Sequence, residues 1–177
     1  FIDNVAPAAS DLKQEQSVEG DSIERKVDAP TALFVFKTVY QPNLGQITFF
    51  KVKSGEININ DKLENSRNDK VEILNQLFIM DGKNREAVTK LTVGDIGATL
   101  KLKFTETNDT LHKIGKPITI KPIQYPMPRI KKAVSTVDKN DEEKLSDALK
   151  KMHSQDPTVV VAYSKEQKQM ILGCQGE

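Results

Sequence analysis

Six cations in this chain are spaced so that they could meet phosphate groups. Lys51 and Lys53 stand two apart, Arg67 and Lys70 flank a turn, and Lys83 and Arg85 follow Asp81-Gly82. Contacts of this kind are ionic, read backbone shape more than base sequence, and weaken with salt. The plain alternative is solubilising charge on loops. The formal net charge of +1 says little until it is divided. Residues 1–30 hold 3 basic and 7 acidic side chains, residues 31–124 hold 14 and 10, and residues 125–177 hold 9 and 8. The positive middle permits a nucleic-acid partner without requiring one.

Other chemistry is sparse. Two histidines and one cysteine cannot make an ordinary zinc site, so no metal is expected. His112 reads as a strand residue near a turn and His153 as a residue near a helix end, both with surface or capping roles. Cys174 reads as a small apolar side chain rather than an activated thiol. A single cysteine excludes an internal disulfide and fits a reducing compartment. No Ser-His-Asp or paired-carboxylate arrangement can be argued from the spacings. The chain contains no G-x-x-x-x-G-K-[ST] phosphate loop and no Asn-Lys-x-Asp base-reading motif. No apolar run approaches the roughly 18 residues of a membrane span, and no signal-peptide pattern opens the chain. No membrane partner is expected, and the expected location is cytoplasmic.

The elements that must position these residues are mostly short strands. With 37% hydrophobic and 29% charged residues among 177, the composition is that of an ordinary water-soluble chain of one domain or two small ones. Residues 1–30 are polar, acidic and aperiodic, and read as a linker. Residues 31–39 and 46–53 are strands rich in aromatic and β-branched side chains. Gln41-Pro42-Asn43-Leu44-Gly45 turns between them, and Ser54-Gly55 stops the second. This predicts a hairpin with one dry face. Further strands are expected at 56–64 (broken at Asn60-Asp61), 70–80, 88–93, 96–104 and 118–123. Many short strands without a long helix predict a mainly β fold, a closed β-barrel over 31–124.

Tyr125-Pro126-Met127-Pro128 is a stiff, extended connector. After it come a strand over 129–137, a helix opened by an Asn140–Glu143 capping box, and strands over 158–163 and 169–172. Leu145, Ala148, Leu149 and Met152 form one apolar stripe on the helix. The order β-α-β-β over 125–177 predicts an incomplete ferredoxin-like α+β unit.

Several stretches together resemble one family. They are Phe36-Lys37-Thr38, Leu44-Gly45, Phe49-Phe50, Ser54-Gly55, Gly82-Lys83-Asn84-Arg85-Glu86-Ala87, Val93-Gly94-Asp95-Ile96-Gly97-Ala98, Asn108-Asp109-Thr110-Leu111 and the Tyr125–Pro128 connector. In this order they resemble elongation factor G, a translational GTPase, over its domain II and part of domain III. Asn60 and Asn108 stand where the family usually has Gly, and Asn tolerates the left-handed backbone those turns need. The resemblance runs through nearly the whole chain. It implies a piece of a longer protein whose absent GTPase domain would bind GTP and Mg, while this chain itself is no enzyme. It implies ribosome docking during protein synthesis, through small-subunit rRNA and the region of protein S12, and contacts with the parent's other domains. The job implied is promotion of tRNA-mRNA translocation. Lys51, Lys53, Arg67, Lys70, Lys83 and Arg85 then become candidates for rRNA binding. The family also binds fusidic acid, and Met170 and Gln175 fall at the expected edge of that pocket. Gln175 stands where the family usually has Met, and Met170 where it usually has Thr, which predicts a weak response to the drug. Alternatives are a divergent elongation factor G paralog, a tetracycline-resistance-type ribosomal protection factor, or a stand-alone RNA-binding β-barrel module.

Overall fold

The structure is a computed structural model and describes residues 15–20, 22–41, 44–82, 84–164 and 169–176. Two compact units divide it, Phe1–Pro122 and Ile123–Glu177. Among the described residues no helix is long and apolar enough to cross a membrane.

The first unit contains β1 (Glu15–Gln16), β2 (Ser22–Ile23), β3 (Ala32–Gln41), β4 (Gly45–Ser54), β5 (Glu56–Asn58), β6 (Lys62–Asn65), β7 (Lys70–Ile73), β8 (Leu77–Asp81), β9 (Asn84–Val88), β10 (Lys90–Thr92), β11 (Ile96–Leu100) and β12 (Thr110–Lys113). Eight of these form one antiparallel sheet in the order β7-β6-β12-β3-β4-β11-β8-β9. Its concave face buries Leu33, Val35, Phe50, Val52, Leu63, Leu77 and Leu111. The expected barrel is therefore present as a curled sheet, but among the described residues its strand ladder does not close: β7 and β9, the outer strands, are not paired with each other. The segment after β5 spans the seam instead. Asn60 N–H donates to Leu74 O at 2.8 Å, and Ile59 N–H donates to Thr89 O at 3.0 Å. A separate β5–β10 ladder stands beside it. Two carbonyls just past the ends of β7 and β9 are thus satisfied without another regular strand pair.

Several sequence expectations change here. The stretch 70–80 is two strands, not one. Leu74 is fully buried and its N–H donates to Asp61 O at 3.1 Å, which bends the chain out of β7 before β8 begins. Residues 84–87, where no strand was expected, belong to β9, and β11 ends at Leu100 rather than running to 104. Lys101 adopts φ 61° there, which breaks the strand. Residues 118–123 form no strand. Pro117 and Pro122 withhold donors, and Ile120 makes a single bridge to Ser17. The β3–β4 hairpin is not dry on one face only. Ala32 and Phe34, on the outer face of β3, are covered by Ile23 and Ile120. The described part of the expected linker, 15–30, thus supplies packing: Ile23 is buried, and Glu24 O accepts from Ser54 Oγ at 2.7 Å. Two substitutions for glycine behave as their chemistry allows, since Asn60 and Asn108 take φ of 66° and 81°.

Lys90 and Glu56 join β10 to β5 with a 2.6 Å ion pair. The hydrogen bond from Lys90 holds the Glu56 carboxyl below its ordinary pKa, ahead of an opposing desolvation effect. A carboxyl depressed on folding stabilises above its unfolded pKa, and that contribution is lost as pH falls through its folded value. In a Lys90→Gln chain the Glu56 midpoint, followed by carbon NMR of its carboxyl, is expected to rise toward the ordinary carboxylate range. A midpoint unmoved by the substitution would remove Lys90 as the cause.

The second unit contains β13 (Ile130–Val134), α1 (Glu142–Gln155), β14 (Val160–Ser164) and β15 (Gln169–Cys174). The sheet order is β13-β15-β14, with β15 antiparallel to both neighbours. That is a split β-α-β arrangement. The expected capping box is not formed. Lys139–Asp141 makes a 3-10 turn, Asp141 becomes the N-cap without a side-chain cap bond, and Asn140 N–H goes to Asp138 Oδ1 at 3.0 Å. Of the helix stripe only Leu149 is buried, while Met152 is 44% exposed.

Candidate functional site

Lys51 and Lys53 point outward from β4, alternating with the fully buried Phe50 and Val52. Strand alternation places both ammonium groups on the convex side of the sheet. Lys51 pairs with Phe34 on one side and Ile96 on the other. Arg85 lies on β9, exposed, with its guanidinium 5.7 Å from the centre of the Phe78 ring. β4 and β9 are three strands apart in the sheet, about 14 Å at roughly 4.8 Å per strand. Lys70 is exposed at the start of β7, opposite Asn65. Lys83 lies outside the described residues. The candidates are therefore spread over the middle, one edge and the other edge of the sheet, and make no single cluster.

Arg67 differs from the rest because it is committed. Its Nε donates to Asp109 Oδ1 at 2.8 Å, and its Nη2 donates to Asp109 Oδ2 at 3.2 Å and Phe104 O at 3.0 Å. Glu106 adds an ion-pair contact at 3.4 Å. Hydrogen bonding to Asp109 raises the guanidinium pKa above its already high value, against some desolvation. A planar fork on a carboxylate is the strong geometry for arginine. Arg67, expected as one of six rRNA-binding candidates, therefore has a structural role within the chain, which is to hold the 101–109 loop.

Asp109 is buried and also accepts from Asn65 Nδ2 at 2.7 Å and Glu106 N–H at 2.8 Å. A second buried carboxylate, Glu72, holds the other half of the loop. It accepts from Phe104 N–H at 2.7 Å, Lys103 N–H at 3.3 Å and Thr105 Oγ1 at 3.0 Å. Gln46 fastens the loop's flanks, since its Nε2 donates to Thr105 O at 2.8 Å and its carbonyl accepts from Lys101 N–H at 3.0 Å. The sequence reading missed Glu72 and Asp109. An isolated acid in a strand and an acid after Asn give no signal of burial.

Met170 sits on β15 between Val134 and Tyr163 and lines a hollow of about 440 Å³ with Leu145 and Glu142. Gln175 lies beyond the end of that strand. Its Nε2 donates to Pro126 O at 3.0 Å and Met127 O at 2.9 Å. Met170 thus borders a hollow, while the Gln175 amide is spent on the connector. At the start of the connector, burial pushes the Tyr125 phenol pKa up, with a smaller push from Asp156. His112 is buried rather than on the surface, with Nδ1 3.1 Å from Lys113 O. His153 Nδ1 lies 2.6 Å from Val159 O, a contact that needs the proton on that nitrogen. Among the described residues no group of three or more His, Cys, Asp or Glu side chains could hold a metal ion. A polar hollow of about 450 Å³ is lined by Asp28, Glu56 and Asp61 as well as Lys62 and Lys113. Three acids against two lysines do not suit a nucleotide triphosphate.

Comparison with known proteins adds a frame to this geometry. The family model described as Elongation factor G domain 2 matches residues 30–114, and that described as Elongation Factor G, domain III matches residues 125–177. The chain is 33% identical over 176 residues to "Elongation factor G 2" of Syntrophomonas wolfei, covering 99% of this chain and 25% of that protein. It is 36% identical over 166 residues to "Elongation factor G" of Chlamydia caviae, covering 94% and 24%. The chain thus spans about a quarter of the length of these relatives. A crystal structure of a protein from Thermus thermophilus superposes with a TM-score of 0.74 at 24% identity, over 85% of this chain and 23% of that one. At that identity the likeness concerns the fold.

Proposed function

This chain belongs to the elongation factor G family of translation factors, and from that premise we propose that it is the ribosome-docking and coupling segment of a GTPase that promotes tRNA-mRNA translocation. The observation that carries the reading is the ordered pair of matches, domain 2 over 30–114 and domain III over 125–177. In this proposal GTP and Mg bind elsewhere in the parent protein, and the chain works in the cytoplasm on the small subunit, near rRNA and protein S12. The convex face of the curled sheet, bearing Lys51, Lys53 and Arg85, makes the phosphate contacts. Lys70 adds to them from the β6–β7 hairpin. The second unit passes the state of the GTPase onward.

The test uses the full-length protein with ribosomes, following binding, GTP turnover and tRNA movement in one sample. Ribosome-stimulated turnover with tRNA movement is the expected result. Ribosome binding without turnover would overturn the translocase reading, and no binding would overturn the docking as well. Charge removal supplies a second readout. Each phosphate contact contributes about 0.7–0.9 to the slope of log affinity against log salt. A Lys51→Ala/Arg85→Ala protein is therefore expected to lose about 1.5 from that slope. An unchanged slope would take these two side chains out of the interface.

A further inference from the structure

The second unit opens on a segment with few donors. In Tyr125-Pro126-Met127-Pro128 both prolines lack an N–H, so the segment has more backbone acceptors than donors. Three consecutive residues past the middle of β15 serve this segment. Gly173 leaves room for it: a Cβ there would lie 2.9 Å from Pro128 Cβ and 3.0 Å from its Cγ. Cys174 O accepts from Arg129 N–H at 3.0 Å. Gln175 Nε2 donates to Pro126 O at 3.0 Å and to Met127 O at 2.9 Å. The opposite amide orientation would set Oε1 against two carbonyl oxygens, so the partners dictate which atom faces them.

We propose that Gln175 is a positioning residue that clamps the connector onto the end of β15, so that the rigid body of the second unit begins at Pro126. Its two amide hydrogens match the two proline-flanked carbonyls, a pairing that no carboxylate or thioether of similar length could make. Gly173 is the complementary half of the clamp, because Pro128 occupies the space any side chain would need. This inference does not rest on the ribosome reading, since it concerns only contacts within one unit.

The test is residual dipolar coupling on the isotope-labelled 177-residue chain. The Met127 and Arg129 N–H couplings are expected to fit the alignment tensor defined by Ile130–Val134 and Val160–Ser164. Gln175→Glu keeps length and shape but cannot donate. In that variant Met127 is expected to leave the fit, and the Arg129 amide to exchange about tenfold faster. Gly173→Ala acts independently, by pushing Pro128 away, and is expected to release the same two residues. The proposal is overturned if Met127 fails to fit in the wild-type chain, or if it fits equally well in Gln175→Glu. Should a variant lose the folded second unit, the Gln175 side-chain amide of the wild-type chain decides: slow exchange of its protons supports the clamp, and exchange as fast as in a free glutamine overturns it.

Discussion

An Asp109→Ala chain is expected to be less stable than wild type by about 3 kcal/mol. The buried carboxylate accepts four hydrogen bonds, from Asn65, Glu106 and twice from Arg67. Removing it leaves the fully buried Asn65 amide with only its longer bond, 3.4 Å to Phe104 O, at a cost of about 1–3 kcal/mol. The guanidinium is less stranded, because the Arg67 side chain is 46% exposed and water can take over part of its hydration. That keeps the loss toward the lower end of the roughly 3–5 kcal/mol seen when a buried ion pair is broken. Asp109→Asn keeps one acceptor oxygen and should recover part of the loss. The measurement is the urea midpoint of the first unit, followed on its own NMR signals because the chain has two units. A loss under about 1 kcal/mol would mean that the 101–109 loop is held chiefly by Glu72 and Gln46.

The second large effect is expected at Gly55, where two penalties coincide. Its φ is 70°, and a Cβ built there would stand 2.6 Å from Ala29 O and 2.8 Å from Thr31 Cα. Those are backbone atoms and cannot rotate aside, as the end of a side chain could. Gly55 N–H also donates to Lys26 O at 2.9 Å, so displacement would loosen the segment that carries Ile23 over the outer face of β3. Left-handed backbone costs about 1–2 kcal/mol for a residue with a Cβ, and forced overpacking adds about 1–3 kcal/mol. Gly55→Ala is therefore expected to lose about 3 kcal/mol or more. Gly115 is the control, with φ 76° and nothing within 4 Å of its added Cβ, so Gly115→Ala carries the backbone penalty alone. Equal losses at the two glycines, read as thermal midpoints, would remove the close approach as the cause.

Much of the strand pattern was legible in one dimension. The alternation of Phe50 and Val52 with partly exposed neighbours marks β4, because side chains alternate across a sheet, while the run of apolar and β-branched residues from Ala32 to Phe36 marks β3. Ser54-Gly55 marks the end of β4, since only glycine enters the left-handed region without cost. The helix was legible in its stripe but not in its start, because Asp138 took the Asn140 N–H and the capping box lost its geometry. The outer cover of β3 was not legible. Ile23 sits in an acidic, aperiodic stretch, and its burial depends on where Ile120 arrives, nearly a hundred residues later.

What the sequence determined by itself is the succession of short strands and the split β-α-β order, which follow from residue type and local spacing, and the family, through the resemblance its ordered motifs bear to known members. Tertiary structure alone decided which polar side chains work as fasteners. Asp109 meets Arg67 across 42 residues, Glu72 meets Phe104 across 32, and Gln175 meets Pro126 across 49. A hydrogen bond needs its two atoms within about 3 Å. Only strand register and loop path bring such distant residues that close, and neither is written in the local pattern of either partner.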